Sequence, residues 1–372
     1  MRPLLYIANM RLPSEKAHAV HVMEMCAALA ATGELDVTLL VPTRATDIVA
    51  PDLFSYYGVP PTFRVERCAS FDAFTLPLPR RLAFAVHSLT FARSVRARIA
   101  AAPPDALILS RDLLSASLLA RTGRRCLAFE VHDLPGPVSR RLLGRIPKLI
   151  VTNAAKRAFL TDALGIPADR VLLAPNGVDL ARFVPSSAPG GKAIVLYAGS
   201  LLAWKGVETL ARAAAKLPPE VHVRIVGGSG QDLERFRDFL RREGSAGGVE
   251  ILPHRPHAEM PALLAEATVL VLPTSGAYAI GRTETSPIKA FEYLAADRPI
   301  VASDLPSTRE ILNEDTAILF APDDAADCAR AIREALALTP ERRSRMAAAR
   351  TASLADRTWT ARAARVARFL AS

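Results

Sequence analysis

Short, nearly continuous apolar runs recur along this chain, and longer helix-prone stretches separate them. In the first half the runs are PLLYIANM (Pro3–Met10), DVTLLVP (Asp36–Pro42), FRVERC, ALILS, CLAFEVH, LIVTN and VLLAPN. Such runs suit strands buried on both faces, as in a parallel sheet covered by helices. AHAVHVMEMCAALAATG (Ala17–Gly33) predicts a helix with Gly33 as its stop. After NGVD (Asn176–Asp179), the Pro-, Ser- and Gly-rich segment Phe183–Lys192 reads as a linker. A second series follows: AIVLYAG, VHVRIVGG, VEILP, TVLVLPT, PIVASD and AILF. A basic helix, TWTARAARVARFL (Thr358–Leu370), closes the chain. No short repeat of the solenoid kind is present. The expected fold class is α/β, with two doubly wound, Rossmann-like domains. Open parallel sheets bind ligands beyond the carboxyl ends of their strands, so both domains are expected to aim their functional loops at a central cleft.

The length of 372 residues fits two domains with sizeable cores. A net charge of +10 favours anionic partners, although any single Arg reads first as a solvated surface residue. The four cysteines, Cys26, Cys68, Cys126 and Cys328, form no C-x-x-C pair and no zinc spacing with His. Cys26 and Cys126 sit in apolar surroundings and read as core fillers. A reducing cytoplasm is the expected compartment. The N-terminal apolar run is too short for a signal peptide, and no stretch reaches a membrane span. Membrane contact would therefore be peripheral, at the inner face of the cell membrane. The segment Pro77–Ala100 mixes apolar and basic residues. It reads first as a core-facing helix with an arginine-rich solvent side, and second as an amphipathic helix on an anionic membrane.

Three segments carry candidate chemistry. RIVGGSGQDLERF (Arg224–Phe236) is a strand, a glycine turn and a helix start, which suits an anion; an unliganded tight turn fits equally well. In YAGSLLAWKGVETL (Tyr197–Leu210), Lys205 stands at a helix entry, where a positive charge is unhelpful unless it serves an anion. ETSPIKAFE (Glu284–Glu292) places two glutamates around a Ser-Pro pair. In one helix they would lie ~80° apart around the axis. Ser286 suits the cap and Pro287 the first helical position, which leaves Glu284 in the preceding loop and Glu292 within the helix. Unpaired amides between the two carboxylates suit a phosphate. A sugar nucleotide has that polarity; a capped helix with an incidental loop acid accounts for the local pattern as well.

NGVD, YAGSLLAWKGVETL, RIVGGSG, VLVLPT and ETSPIKAFEYLAADRPIVASDLPSTREIL occur in the order found in retaining glycosyltransferases of the GT-B fold, family GT4, which this chain resembles over most of its length. The glutamate pair resembles that family's E-x7-E motif. The resemblance implies an acceptor-side domain at 1–185, a donor-binding domain at 190–355, and a closing helix, 356–372, that crosses back to the first. It implies that Glu284 binds donor-sugar hydroxyls, Glu292 binds the ribose, and Lys205 holds the diphosphate and stabilises its departure. Backbone amides near Ser286, Ile288 and Lys289 would share that charge. Gly199 and Gly227 would let the backbone close around the nucleotide, and the Ile251–Pro256 loop with His254 would lie near the base. In EVHD, His132 resembles the family's histidine beside the donor sugar, with Asp133 next to it. Two departures matter. MRLPSEKAHAVH (Met10–His21) replaces a Gly-Gly loop, making Ser14, Lys16 and His18 candidate contacts. Ser200 stands where relatives often carry Arg, and Arg282 is a candidate substitute.

The expected function is transfer of a sugar, with retention, from a UDP- or GDP-sugar to an acceptor hydroxyl in glycan, polysaccharide or glycoconjugate biosynthesis. The acceptor would be a glycan, a lipid-linked group or a small molecule. No cofactor, metal ion or nucleic acid is expected. Three alternatives compete: a sugar-nucleotide epimerase on the same fold, a nicotinamide-dependent oxidoreductase, and a non-catalytic nucleotide-binding protein. The oxidoreductase lacks a dinucleotide fingerprint after the first strand.

Overall fold

The computed structural model of the chain describes residues 1–372 except 47, 50–51, 124–125, 133–136, 185–191 and 245–247. Most of the expected linker, and Asp133, lie outside the described residues. Two compact units emerge: Met1–Pro175 with Trp359–Ser372, and Asn176–Thr358.

The first unit contains β1 (Arg2–Ile7), β2 (Leu35–Pro42), β3 (Arg64–Cys68), β4 (Leu107–Ser110), β5 (Leu127–Val131), β6 (Lys148–Val151) and β7 (Val171–Leu173). They form a parallel sheet ordered β3-β2-β1-β4-β5-β6-β7. The second contains β8 (Ala193–Ala198), β9 (Val221–Val226), β10 (Val249–Leu252), β11 (Val269–Leu272), β12 (Ile300–Ser303) and β13 (Ile318–Phe320). These too are parallel, ordered β10-β9-β8-β11-β12-β13. Each order reverses beside the unit's first strand, at β1/β4 and at β8/β11. That reversal is the switch point of a doubly wound sheet, where diverging connections leave a crevice at the carboxyl ends.

The apolar runs work because both sheet faces are covered. Val195 and Val271 pack into one core with Leu210, Phe236 and Ile332. Their strand neighbours Leu196, Leu270 and Leu272 enter the opposite core with Phe291 and Leu294. Successive side chains point to opposite faces, so a strand buried twice over must be apolar at every position.

The closing helix spans Trp359–Ala371 and packs within the first unit against the helix Ala17–Ala30. Its anchor is charged. Arg362, fully buried, donates to Glu130 Oε1 at 3.1 Å and to the carbonyls of Ala174 and Pro175 at 3.2 and 3.1 Å. His21 Nε2 lies 2.9 Å from the same carboxylate, and the Trp359 ring meets His21 edge-on. Cys26 is buried as expected; Cys126 is only partly so, its sulfur accepting from Arg2 at 3.2 Å.

The helix Arg80–Ala100 buries Ala83, His87, Phe91, Val95 and Ile99, one side at a four-residue spacing. Its other side carries exposed Arg80, Arg81, Arg93 and Arg96, as expected, and apolar residues among them. Leu82, Phe84 and Leu89 are half exposed or more, beside exposed Arg80 and Arg81 in its first turn.

Candidate functional site

In the second unit the strand ends are laced together by backbone. The Gly199 amide donates to Val226 at 2.8 Å, Gly227 to Leu252 at 3.0 Å, and His254 to Gly228 at 3.2 Å. Gly227 has φ +139°, and a Cβ there would fall 1.8 Å from the Gly199 carbonyl oxygen, so only glycine fits. The Tyr197 hydroxyl donates to the Ser200 carbonyl at 2.7 Å, fixing the turn after β8.

Lys205 ends the short turn Ala203–Lys205 and precedes the helix Val207–Ala214. Gly206, at φ +67°, lets this turn press on the end of β11; a Cβ would sit 1.9 Å from the Pro273 carbonyl oxygen. The Ser275 amide donates to the Trp204 carbonyl at 3.0 Å. Lys205 is thereby fixed at the β8/β11 switch point, its Nζ 3.8 Å from the centre of the Trp204 ring. Part of the side chain is exposed, but the ammonium is crowded by protein. That desolvation, with the like charge of Lys289, lowers its pKa to about 7.

Glu284 ends a π-helical turn, Ile280–Glu284, and Thr285 returns to extended backbone. The turn is pinned where Ser307 Oγ donates to the Gly281 carbonyl at 2.6 Å, and exposed Arg282 donates to the Gly276 carbonyl at 2.7 Å. The expected cap is displaced by one residue. The helix spans Ile288–Ala295, with Pro287 at its cap position in an extended conformation and no side-chain capping bond. Proline's missing N–H costs nothing at a helix start, while its carbonyl accepts from Ala290 at 3.0 Å. Ser286 is held through its backbone, accepting from Asn176 Nδ2 at 2.6 Å. Ile288 and Lys289 occupy the first turn, where amides have no intrahelical acceptor.

Glu292 is 2% exposed. Lys289 Nζ reaches its Oε2 at 2.9 Å, and His257 Nε2 its Oε1 at 2.7 Å. Burial alone would raise its pKa; Lys289 and His257 reverse this and hold it well below the usual carboxylate range. Arg182 lies 3.1 Å from His257 Nδ1 and donates to the His257 carbonyl at 2.7 Å. A guanidinium only donates, so His257 Nδ1 accepts and its Nε2–H points at Glu292. Sequence reasoning selected His254, which is half buried. His257 was missed. Its signal was Pro256 before a short turn, His257–Glu259, that directs the ring inward.

In the first unit His132 directly follows β5, exposed. Its Nδ1 lies 2.8 Å from Arg111 Nη2, and its ring meets His18 edge-on at 5.6 Å. Lys156 Nζ donates to the His132 carbonyl at 2.6 Å. Ser14 is buried, its amide and carbonyl both bound by the Tyr57 hydroxyl at 2.7 and 2.8 Å, whereas Lys16 is exposed at the start of the helix. Of the three loop candidates, His18 adjoins His132. Arg111 was not singled out from sequence, because its contact joins the ends of two neighbouring strands.

Two parallel sheets of this order, each reversing beside its first strand, define the two-domain α/β architecture of the GT-B fold. Residues 18–182 match the family model "Glycosyltransferase Family 4", and residues 181–352 match "Glycosyl transferases group 1". Between them the two models match residues 18–352, and the chain belongs to the glycosyltransferases they describe. It is 28% identical over 239 residues to a glycogen synthase of Mycobacterium tuberculosis, a match covering 63% of this chain and 55% of that protein. It is 30% identical over 226 residues to a D-inositol 3-phosphate glycosyltransferase of an Arthrobacter species, covering 55% and 51%. The chain thus spans about half the length of the curated relatives it matches. Among solved structures, sucrose-phosphate synthase from Thermosynechococcus elongatus superposes with a TM-score of 0.78 at 21% identity, covering 99% and 98% of the two chains. Anabaena HepE, solved with UDP and glucose, gives 0.76 at 18% identity, covering 99% of each.

Proposed function

We propose that the chain transfers a sugar, with retention, from a nucleoside diphosphate sugar to an acceptor hydroxyl. The observation that carries this reading is Lys205. It is crowded and beside a second lysine, at the entry to one helix and near the open first turn of another. A leaving diphosphate answers that charge. In this reading Lys205 and the amides of Ile288 and Lys289 hold the diphosphate, with no metal ion invoked. Glu284 binds the donor sugar's hydroxyls, His132 donates to another, and Glu292 meets the ribose while held by Lys289 and His257. Glycine-only contacts at Gly199 and Gly227 leave room for the nucleotide. Attack comes from the face the diphosphate leaves, and its departing oxygen takes the acceptor's proton. The UDP in the HepE structure supports a UDP-sugar over a GDP-sugar. A glycan, polysaccharide or glycoconjugate product fits the relatives' names.

A thermal-shift panel of UDP-, GDP- and ADP-sugars tests the donor. A UDP-sugar is expected to raise Tm most, since ligand bound only to the native state stabilises it. With that donor and an acceptor, Glu284→Gln is expected to lower kcat about tenfold, the scale of one hydrogen bond to a charged group. An inverted anomer in the product rules out retention.

No helix among the described residues is long and apolar enough to cross a membrane. The exposed apolar side of Arg80–Ala100 supports peripheral contact with an anionic bilayer. Leu82, Phe84 and Leu89 offer insertion, and no Asp or Glu occurs from Ala73 to Pro104. Arg80 and Arg81 oppose the helix dipole at their end, a placement an external anion relieves. Flotation with phosphatidylserine vesicles at low salt is expected to carry the wild type upward and to leave Leu82→Ser/Phe84→Ser behind. Wild type remaining at the bottom removes the idea.

A further inference from the structure

We propose that Arg111 is a positioning residue that fixes His132 in its neutral Nε2–H form, so that His132 offers a hydrogen-bond donor, and not a base, to a sugar hydroxyl. The role for the sugar rests on the function proposed above; the tautomer does not.

The chemistry follows from one contact. Arg111 Nη2 lies 2.8 Å from His132 Nδ1, and a guanidinium has no lone pair to accept a proton. Nδ1 therefore accepts, and the proton of a neutral ring sits on Nε2. The geometry is anchored at both ends. The Arg111 amide continues the ladder from β4, donating to Ile7 at 2.9 Å, and Asp112 caps the helix Leu113–Ala120 through Ser115 at 2.8 Å. His132 is held by Lys156 through its carbonyl.

Arg111 is costly where it stands. It is 8% exposed, and its Nε and Nη1 are buried without an acceptor among the described residues. A side chain kept only for packing or pairing would satisfy those donors. Its engaged nitrogen is the one on His132. The second unit repeats the device, since Arg182 on Nδ1 directs the Nε2–H of His257 at Glu292.

Among the described residues, two cations and a second histidine face His132. Arg111 approaches from the end of β4, His18 from the helix Ala17–Ala30, and Lys156 from the helix Ala154–Ala158. Glu130, on the same strand, is engaged by Arg362 and His21.

Long-range 1H–15N spectra of the full chain labelled with 15N-histidine test this, with His132 assigned through His132→Gln. The wild type is expected to show an unprotonated Nδ1, a protonated Nε2 and no titration down to pH 6. Arg111→Met is expected to let His132 exchange tautomers and titrate near its ordinary value of about 6.5, with the histidine signals of the second unit unmoved. Arg111→Lys, still a donor, is expected to restore the Nε2–H form. In turnover, Arg111→Met should lower kcat about tenfold with a smaller change in KM. A protonated Nδ1 in the wild type overturns the proposal, as does a His132 signal unchanged in Arg111→Met. Absence of transfer with every donor would remove the functional reading and leave the tautomer result standing.

Discussion

Binding of UDP or a UDP-sugar at pH 8 is expected to draw about one proton from solution, and Lys205→Met is expected to abolish that uptake. In the free protein Lys205 is lowered to about 7 by crowding and by Lys289, so at pH 8 it is mostly neutral. A diphosphate brings two negative charges to the ammonium and favours its charged form, and the lysine then takes a proton from buffer. Calorimetry in buffers of different ionisation enthalpy reads the number directly. Uptake should shrink toward pH 6, where Lys205 is already charged. The same substitution is expected to lower kcat by ~10²–10³, the loss seen when one preorganised donor to a developing anion is removed. Stability without ligand should move the other way. The unfolded lysine has a pKa of about 10.4, so between pH 7 and 10 the unfolded chain binds more protons than the native one, and stability rises with pH there. Lys205→Met should therefore raise Tm near neutral pH, with the gain fading toward pH 10. Unchanged kcat and no proton uptake in the wild type would remove Lys205 from the diphosphate's site.

What could be read from sequence follows the range of the interactions. Strand runs and glycine turns are local, and they placed every strand of both sheets to within a few residues. The spacing of Glu284 and Glu292 is also local, and it pointed to a helix start flanked by acids. The cap moved by one residue because Ser286 is held through its carbonyl by Asn176, a partner 110 positions away. The π-turn before Glu284 depends on Gly281 packing beneath Ser275 and on Ser307, which no window around Glu284 contains. His257 was not singled out because only the turn after Pro256 brings its imidazole to Glu292. Arg111–His132 and Glu130–Arg362 join residues 21 and 232 positions apart. Periodicity along a chain carries no trace of pairs made by neighbouring strands or a returning helix. The core side of Arg80–Ala100 was legible at its four-residue spacing. Its exposed leucines were not, since apolar composition alone does not say which side faces water.

Glu130→Leu is expected to destabilise the first unit by about 3–5 kcal/mol, a fall in melting temperature on the order of 10 °C, because it strands a buried cation. Glu130 and Arg362 are both fully buried, 3.1 Å apart, and the Tyr6 hydroxyl donates to the second carboxylate oxygen at 3.3 Å. Arg362 has carbonyls and the Met25 sulfur for its other donors, but Glu130 is its one carboxylate among the described contacts. Arg362→Leu should cost a similar amount by leaving the carboxylate. The double replacement should cost less than the sum of the two, since each single change includes the desolvation of an abandoned charge. Acid should act through the same pair. Burial would raise the Glu130 pKa, yet Arg362, His21 and Arg111 hold it well below the ordinary range. The native state thus resists protonation of a group that in the unfolded chain titrates near 4.3, so this stability is present above about pH 4.5 and drains as pH falls. His21, lowered to about 4 by burial, stays a neutral donor to Glu130 until the same acid range. Denaturation midpoints followed from pH 5 to 2 should fall steeply for the wild type and more gently for Glu130→Leu. Parallel curves would show that the pair holds no pH-linked stability, and that the closing helix is retained by the apolar contacts of Trp359, Val366 and Leu370 alone.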